Sequence, residues 1–378
     1  VITGLEVGGA ETMLAKLLPH LLKAGFDRVV APLVDGGAIG DALRAQGVPV
    51  RPLGMRRGLP DPRGLVALKR VIAQERPHLI QTWMYHADLL GGLAARLGSR
   101  VPVIWGLRGG TLDRRQLKAG TYIAGRLCAA TSGWLPAHII CCSEAVLASH
   151  ASAGYRRSRM SVIPNGFDTE RFRPDSEAHA ALRTELGLPS DTLLVGLAGR
   201  LDPVKDHQSF IRAAGLAAPG SPRLHFVLCG EGVTRDNRVL DAWLQATGHP
   251  ERFSLLGVRS DMPRVSAALD VAVSSSVMEG FPNVVGEAMS CAVPCVVTDV
   301  GDSARIVADT GWVVPPSNPE ALAVAISEAV GLPSAERAAL GQRARQRLID
   351  HYSLDRVAER YCERYRAVLA QTRRSRSS

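Results

Sequence analysis

With 378 residues, 46% of them hydrophobic and 21% charged, the chain has a globular composition and more length than one core ordinarily organises, so two domains are expected. Disorder is excluded by that composition, and no window approaches the roughly 18 uninterrupted apolar residues of a membrane-spanning helix. The net charge of +9 is uneven: residues 1–165 hold 21 Lys/Arg against 10 Asp/Glu, and the remainder holds 24 against 26.

The sequence opens at Val1, where VITG reads as the tail of a clipped first strand with no signal peptide in view. Strands are then expected at 27–34, 78–83, 101–107, 137–142 and 160–164, with helices such as 11–25 and 88–98 between them. The second half repeats the scheme, with strands at 192–199, 224–230, 270–275 and 293–299 and helices around 205–217, 234–247, 284–291 and 318–330. Continuous apolar strands alternating with helices predict an α/β fold of two Rossmann-like, doubly wound parallel-sheet domains. The polar segment PNGFDTERFRPDSE (164–177) marks the join, giving an N-terminal domain over 1–168 and a C-terminal domain over 169–353. Leu354, Val357, Tyr361, Tyr365 and Val368 recur at helical spacing, so 354–372 reads as an amphipathic helix, with a return to the N-terminal domain as one outcome. The tail RRSRSS reads as a frayed, solvated end.

Cys128, Cys141, Cys142, Cys229, Cys291, Cys295 and Cys362 form no CxxC pair, which favours reduced core thiols in a cytoplasmic protein over disulfides or a zinc site.

Four stretches carry chemistry. GLEVGGAE (4–11) places Gly8 and Gly9 between a strand and a helix start, where backbone N–H groups receive anions; a purely structural tight turn reads equally well. GRLDPVKD (199–206) sets Arg200 at a strand end and Lys205 at the next helix start, cations suited to a diphosphate or, as the alternative, surface residues pairing with Asp202 and Asp206. CGEGVTR, with Gly230 and Glu231, and GVRSDMP, with Val258, are loop tips on the same sheet edge. EGFPNVVGE (279–287) holds Glu279 and Glu287 eight residues apart, which in one unbroken helix is about 80° of azimuth and about 12 Å of rise, too far for a close pair. Pro282 belongs in a first turn, so Glu279 falls in the preceding loop and Glu287 in the second turn, straddling an anion-binding turn.

This ordered set, from GGAE through IPNGFDTERFRP, GRLDPVKD, GEG and EGFPNVVGEA to VPCVVTDVG, resembles retaining nucleotide-sugar glycosyltransferases of glycosyltransferase family 4, of the bacterial surface-polysaccharide and lipopolysaccharide type. The resemblance implies a GT-B fold, two such domains facing a central cleft. It places Gly8 and Gly9 at the donor phosphates, Arg200 and Lys205 on the leaving diphosphate, and Glu287 on the ribose hydroxyls. Glu279, with the N–H groups around Gly280, Phe281, Pro282, Asn283 and Val284, falls on the donor sugar and phosphate (Pro282 itself having no N–H), and Gly230, Glu231 and Val258 join the donor-binding set. The resemblance implies no cofactor and no metal; the sequence agrees, having no D-x-D motif, and Arg200 and Lys205 can replace the metal's electrostatic role. Retention is implied through attack on the face that the phosphate leaves.

The chain departs from that pattern after strand 101–107, where many relatives carry a histidine and this sequence reads WGLRGG. Arg108, His86 and Asn165 are therefore acceptor-side candidates without a fixed role, and Arg305 stands where many relatives carry a glutamate. The implied reaction moves a sugar from a UDP- or GDP-sugar donor to a glycan or lipid-linked acceptor, in the cytoplasm or peripherally on the inner face of the cell membrane. Segment 56–76, with Leu65, Leu68 and Ile72 among basic residues, is a candidate for an anionic membrane surface or a core-facing helix with a basic outer face. The alternatives are a nucleotide-sugar epimerase or phosphorylase on the same fold, or a basic nucleic-acid-binding protein; the low aromatic content of 5% argues against nucleic acid as a partner.

Overall fold

Ten strands, all paired in parallel, form among the residues that a computed structural model describes, namely 1–56, 62–114 and 117–377. The chain divides into two units, Val1–Gly166 with Leu354–Ser378, and Phe167–Ser353.

In the first unit, β1 (Ile80–Gln81), β2 (Val103–Leu107), β3 (His138–Cys141) and β4 (Met160–Val162) lie side by side in that order. Beyond β1 the ladder continues only as isolated parallel bridges, Ile2 to Trp83, Ile2 to Pro32 and Val30 to Val50. The strand expected at 27–34 is thus reduced to two bridging residues. Backbone bonds still join these segments, from the Val30 N–H to the Pro49 carbonyl and from the Arg51 and Leu53 N–H groups to the Val30 and Pro32 carbonyls, but Pro32 has no N–H to add a further rung.

The core of this unit gathers Leu17, Leu43, Trp83, Ile104 and Ile140 around Val357, Tyr361 and Tyr365 of the C-terminal helix. That helix, Leu354–Ser377, buries the stripe its spacing predicts and continues helically past the expected end at 372. The candidate membrane segment forms the helix Pro62–Glu75, with 57–61 lying outside the described residues. Leu68 and Ile72 are 1% and 6% exposed, so its apolar face serves the core.

In the second unit, β5 (Leu193–Ala198), β6 (Leu224–Cys229), β7 (Phe253–Leu255), β8 (Val271–Ser274), β9 (Cys295–Thr298) and β10 (Gly311–Val314) form one sheet in the order β10-β9-β8-β5-β6-β7. Counted within the unit, this is the 3-2-1-4-5-6 order of dinucleotide-binding folds read from the other edge. The order reverses between β5 and β8, which are hydrogen-bonded neighbours through Val195–Val271 and Gly196–Ala272. Val195, Phe210, Phe226, Leu240, Val271, Val296 and Ile326 fill the layers on its faces. All seven cysteines are buried free thiols.

Candidate active site

The switch between β5 and β8 is where a parallel sheet opens a crevice beyond its strand ends. Both strands deliver polar residues there. After β5 the chain runs through Gly199 and Arg200 into a short 3₁₀ turn, Pro203–Lys205, capped by Asp202, whose Oδ1 accepts the Val204 N–H at 2.9 Å. Asp202 also accepts from Arg200 Nε at 3.1 Å, so one acid anchors the loop and orients its exposed cation. Asp206, at φ 47°, turns the chain into the helix His207–Ala217 and caps it through the Ser209 N–H.

After β8, Ser275 and Ser276 are nearly fully buried, and their hydroxyls face the loop from β5. Ser275 Oγ donates within reach of the Lys205 and Asp206 carbonyls, at 2.9 and 3.0 Å. Ser276 Oγ donates to Glu279 Oε1 at 2.7 Å, and the same oxygen receives Lys205 Nζ at 2.5 Å. The structure therefore brings together Lys205 and Glu279, which the sequence places 74 residues apart. Ser275 and Ser276 were not among the expected site residues; the SSS run at the end of an apolar strand was the available signal.

Pro282 precedes the helix Asn283–Ser290, and no side chain caps that helix. Glu279 lies in the loop before it and Glu287 in its second turn, as the proline argument requires. Phe281 is 7% exposed and packs against Phe167 and Tyr352, so its ring fastens the loop and only its backbone is available to a ligand. Gly286 lets Phe167 rest on the helix, since a Cβ there would meet the ring.

Gly230 follows β6 at φ 153°, and a Cβ on it would stand 2.0 Å from the Gly199 carbonyl oxygen. The two crossover loops thus touch backbone to backbone, with Leu201 N–H donating to the Glu231 carbonyl at 2.8 Å. Glu231 and Val258 are exposed on this edge. Among the described residues no three His, Cys, Asp or Glu side chains gather as metal ligands.

A cavity of about 850 Å³ opens at the opposite, N-terminal ends of the strands, lined by His179, Asp270 and Arg337 among others. Its charges are satisfied internally: Asp270 accepts from Arg183 at 2.6 Å and from the Leu194 N–H at 2.8 Å, and faces Arg337 at 3.5 Å. It contains none of the expected site residues.

In the first unit, Gly8 is the N-cap of the helix Gly9–Lys23, whose first turn follows the Gly-rich loop. Gly37, at φ 96°, allows that loop to pass, because a Cβ would lie 2.3 Å from the Leu5 carbonyl oxygen. His86 is exposed in the first turn of the helix Tyr85–Gly98, after Met84, which holds φ 76° without being glycine. Arg108 and Asn165 point at each other: Arg108 Nη1 donates to Asn165 Oδ1 at 2.6 Å, Nη2 donates to the Tyr361 hydroxyl, and the guanidinium lies 4.1 Å from the Trp83 ring centroid. These contacts make the pair a clamp inside the first unit.

Beneath that clamp, Asp88 is fully buried and was not foreseen. Its Oδ1 accepts from Thr82 Oγ1 at 2.6 Å and from the Gly106 N–H at 3.3 Å, and burial pushes its carboxyl up to about 8.

Two parallel Rossmann-type sheets in tandem are the architecture of the GT-B fold. Residues 7–171 match the profile of "Glycosyltransferase Family 4", and residues 192–331 match "Glycosyl transferases group 1". The chain belongs to this family of glycosyltransferases. It is 26% identical over 281 residues to the Escherichia coli UDP-Gal:alpha-D-GlcNAc-diphosphoundecaprenol alpha-1,3-galactosyltransferase, a match covering 71% of this chain and 69% of that protein. It is 32% identical over 223 residues to the D-inositol 3-phosphate glycosyltransferase of Saccharomonospora viridis, which spans 56% of this chain and about half, 51%, of that relative. In fold it is similar to Anabaena HepE, solved in complex with UDP-glucose, at a TM-score of 0.81 and 22% identity over 97% of this chain and 99% of that one.

Proposed function

We propose that the chain transfers a hexose from a UDP-sugar to a lipid-linked or glycan acceptor in cell-surface polysaccharide or lipopolysaccharide synthesis, with retention of anomeric configuration and without a metal ion. The observation that carries this reading is the Lys205–Glu279 pair beside Arg200 at the strand-order switch, next to an uncapped helix N-terminus. Departure of a nucleoside diphosphate leaves negative charge on its terminal phosphate. Lys205, Arg200 and the N–H groups of the first helical turn supply positive potential there without reorganising in the reaction. Glu279 holds Lys205 in place and presents its remaining carboxylate capacity to sugar hydroxyls, and Glu287, one helical turn further, takes the ribose. Glu279, held by Lys205 and Ser276, serves as a ligand in this reading, and the leaving phosphate is the base that takes the acceptor proton.

Uridine over guanosine is favoured by two relatives: the E. coli enzyme is named for UDP-Gal, and HepE was solved with UDP-glucose. The diphosphoundecaprenol in the former's name supports a polyprenyl diphosphate acceptor, and with it we infer work at the inner membrane face. The test is a panel of UDP- and GDP-hexoses with a short-chain polyprenyl diphosphate sugar, run with excess chelator, the product's anomer being read by NMR. Transfer from a UDP-hexose with retention supports the reading. Donor isomerisation without acceptor would instead assign an epimerase, and a requirement for inorganic phosphate a phosphorylase.

A further inference from the structure

His207, the first residue of the helix that follows the cation loop, is 2% exposed. Its Nε2 lies 3.2 Å from the Gly199 carbonyl oxygen, and its buried Nδ1 has no hydrogen-bond partner among the described residues. A carbonyl only accepts, so Nε2 carries the ring proton and Nδ1 a lone pair. A buried nitrogen left without a hydrogen bond is a cost that an apolar side chain would avoid. What the imidazole offers in return is one directed N–H, and Gly199 receives it.

Gly199 is where such a bond has leverage. Its carbonyl and the N–H of Arg200 share one peptide plane, so a bond to that oxygen fixes the direction in which Arg200 leaves β5. The stem of Lys205 lies across the same residue, since a Cβ on Gly199 would stand 3.5 Å from the lysine Cγ. His207 thus ties the residue after the loop to the residue before it, and both cations hang from the tie. Farther round the loop, the Val277 N–H donates to the Val204 carbonyl at 2.9 Å and Ser275 Oγ reaches the Lys205 and Asp206 carbonyls.

We propose that His207 is a positioning residue for the transfer. Through the Gly199 carbonyl it sets the plane from which Arg200 departs and the surface on which Lys205 rests, and so aims both at the terminal phosphate of the leaving diphosphate. It is not a proton carrier. Burial is the main influence on the ring and lowers its pKa from the ordinary 6.5; the Gly199 bond opposes this and the charge of Lys205 adds to it. The ring is therefore neutral at neutral pH, with its single proton already engaged. The inference rests on reading Arg200 and Lys205 as the cations of the diphosphate, and assigns what aims them.

The experiment compares the full chain with His207→Leu and His207→Gln. Glutamine carries an amide nitrogen the same number of bonds from Cα as Nε2, whereas leucine fills similar space without a donor. Calorimetry gives the affinities for UDP and for uridine. The parent binds UDP more tightly than uridine; His207→Leu loses UDP affinity on the order of tenfold with uridine unchanged, and His207→Gln restores most of it. With the UDP-hexose that the parent turns over, kcat of His207→Leu falls roughly 30-fold while donor KM stays within about threefold, because the cations act most on the charge that develops as the phosphate leaves. A brace that serves the fold alone would lower the melting temperature of His207→Leu and leave the ratio of UDP to uridine affinity untouched, and that result overturns the proposal. So does an activity loss that glutamine fails to restore and that abolishes the acid limb of the pH profile, which would make His207 a proton carrier. A parent that binds UDP no more tightly than uridine would overturn the diphosphate reading itself, and the inference with it. Should His207→Leu fail to fold, His207→Asn, whose amide falls one bond short of Gly199, supplies the same comparison.

Discussion

Lys205 Nζ and Glu279 Oε1 meet at 2.5 Å, joining the loop that follows β5 to the loop that follows β8. The pair is incompletely buried, with the lysine side chain 26% and the glutamate 10% exposed, so it contributes modestly to stability. Its expected importance is to the reaction. Lys205→Ala should lower kcat roughly 100-fold or more while leaving the unfolding midpoint nearly unmoved. Glu279→Gln keeps an acceptor for Ser276 but loses the charge that positions the lysine. If the two act as a unit, the double variant will be little worse than the worse single one. A double-mutant cycle on kcat/KM decides this, and simple additivity would show that they act separately.

A second expectation concerns the contact between Gly230 and the Gly199 carbonyl. Gly230→Ala puts a methyl group 2.0 Å from that oxygen, on a residue whose φ of 153° already disfavours a side chain. Neither neighbour is a flexible side chain, so the loops must separate, at about 1–3 kcal/mol or more. The variant should melt lower and also lose protection by UDP, because the displaced Gly199 belongs to the loop after β5, which borders the strand-order switch. Normal protection in a destabilised variant would detach Gly230 from the donor site.

The sequence is most informative where a local rule acts alone. Pro282 fixed the start of the helix Asn283–Ser290, and the stripe from Leu354 to Val368 announced a core-packed helix. It was least informative where pairing depends on distant chain. β7 and β10 were not expected, because Ser254 interrupts the first and Gly311 opens the second, so neither is a continuous apolar run, and near Val30 only isolated bridges form where a full strand was expected. In the site, Arg200 and Lys205 were evident as cations and Asp202 as a local partner, but that Glu279 rather than Asp206 takes Lys205 follows from the β5–β8 pairing. Arg108 was open to a substrate role because its partners, Asn165 and Tyr361, are 57 and 253 residues away.

That last arrangement gives a third expectation. Arg108→Ala removes a donor from buried Asn165 and from the buried Tyr361 hydroxyl, and a cation from the Trp83 face. The combined loss is about 2–5 kcal/mol, a fall of roughly 5–15 °C in melting temperature. Arg108→Lys should recover little, since one ammonium cannot serve both partners and stack as a planar guanidinium does. Donor KM measured well below the melting point should stay within about threefold of the parent. A large KM rise with unchanged stability would return Arg108 to the substrate.

The fourth expectation is a pH dependence with a definite sign, set by Asp88. Burial raises its carboxyl from the ordinary 3.8 to about 8, so the folded chain holds a proton that the unfolded chain releases in acid. Between pH 4 and 8 the folded state therefore binds more protons at this site. Its contribution to stability is fully present below the unfolded value and is lost as pH rises through about 8. Asp88→Asn is neutral at every pH and keeps an oxygen for the Thr82 hydroxyl and the Gly106 N–H. Compared with the parent in urea, the asparagine variant should gain steadily as pH rises from 5 to 8, with a slope approaching about 1.4 kcal/mol per pH unit. Asp88→Ala, which leaves the Thr82 hydroxyl and the Gly106 N–H without that acceptor, should be destabilised at every pH. A stability difference between parent and Asp88→Asn that does not change with pH would mean that Asp88 is ionised in the folded chain.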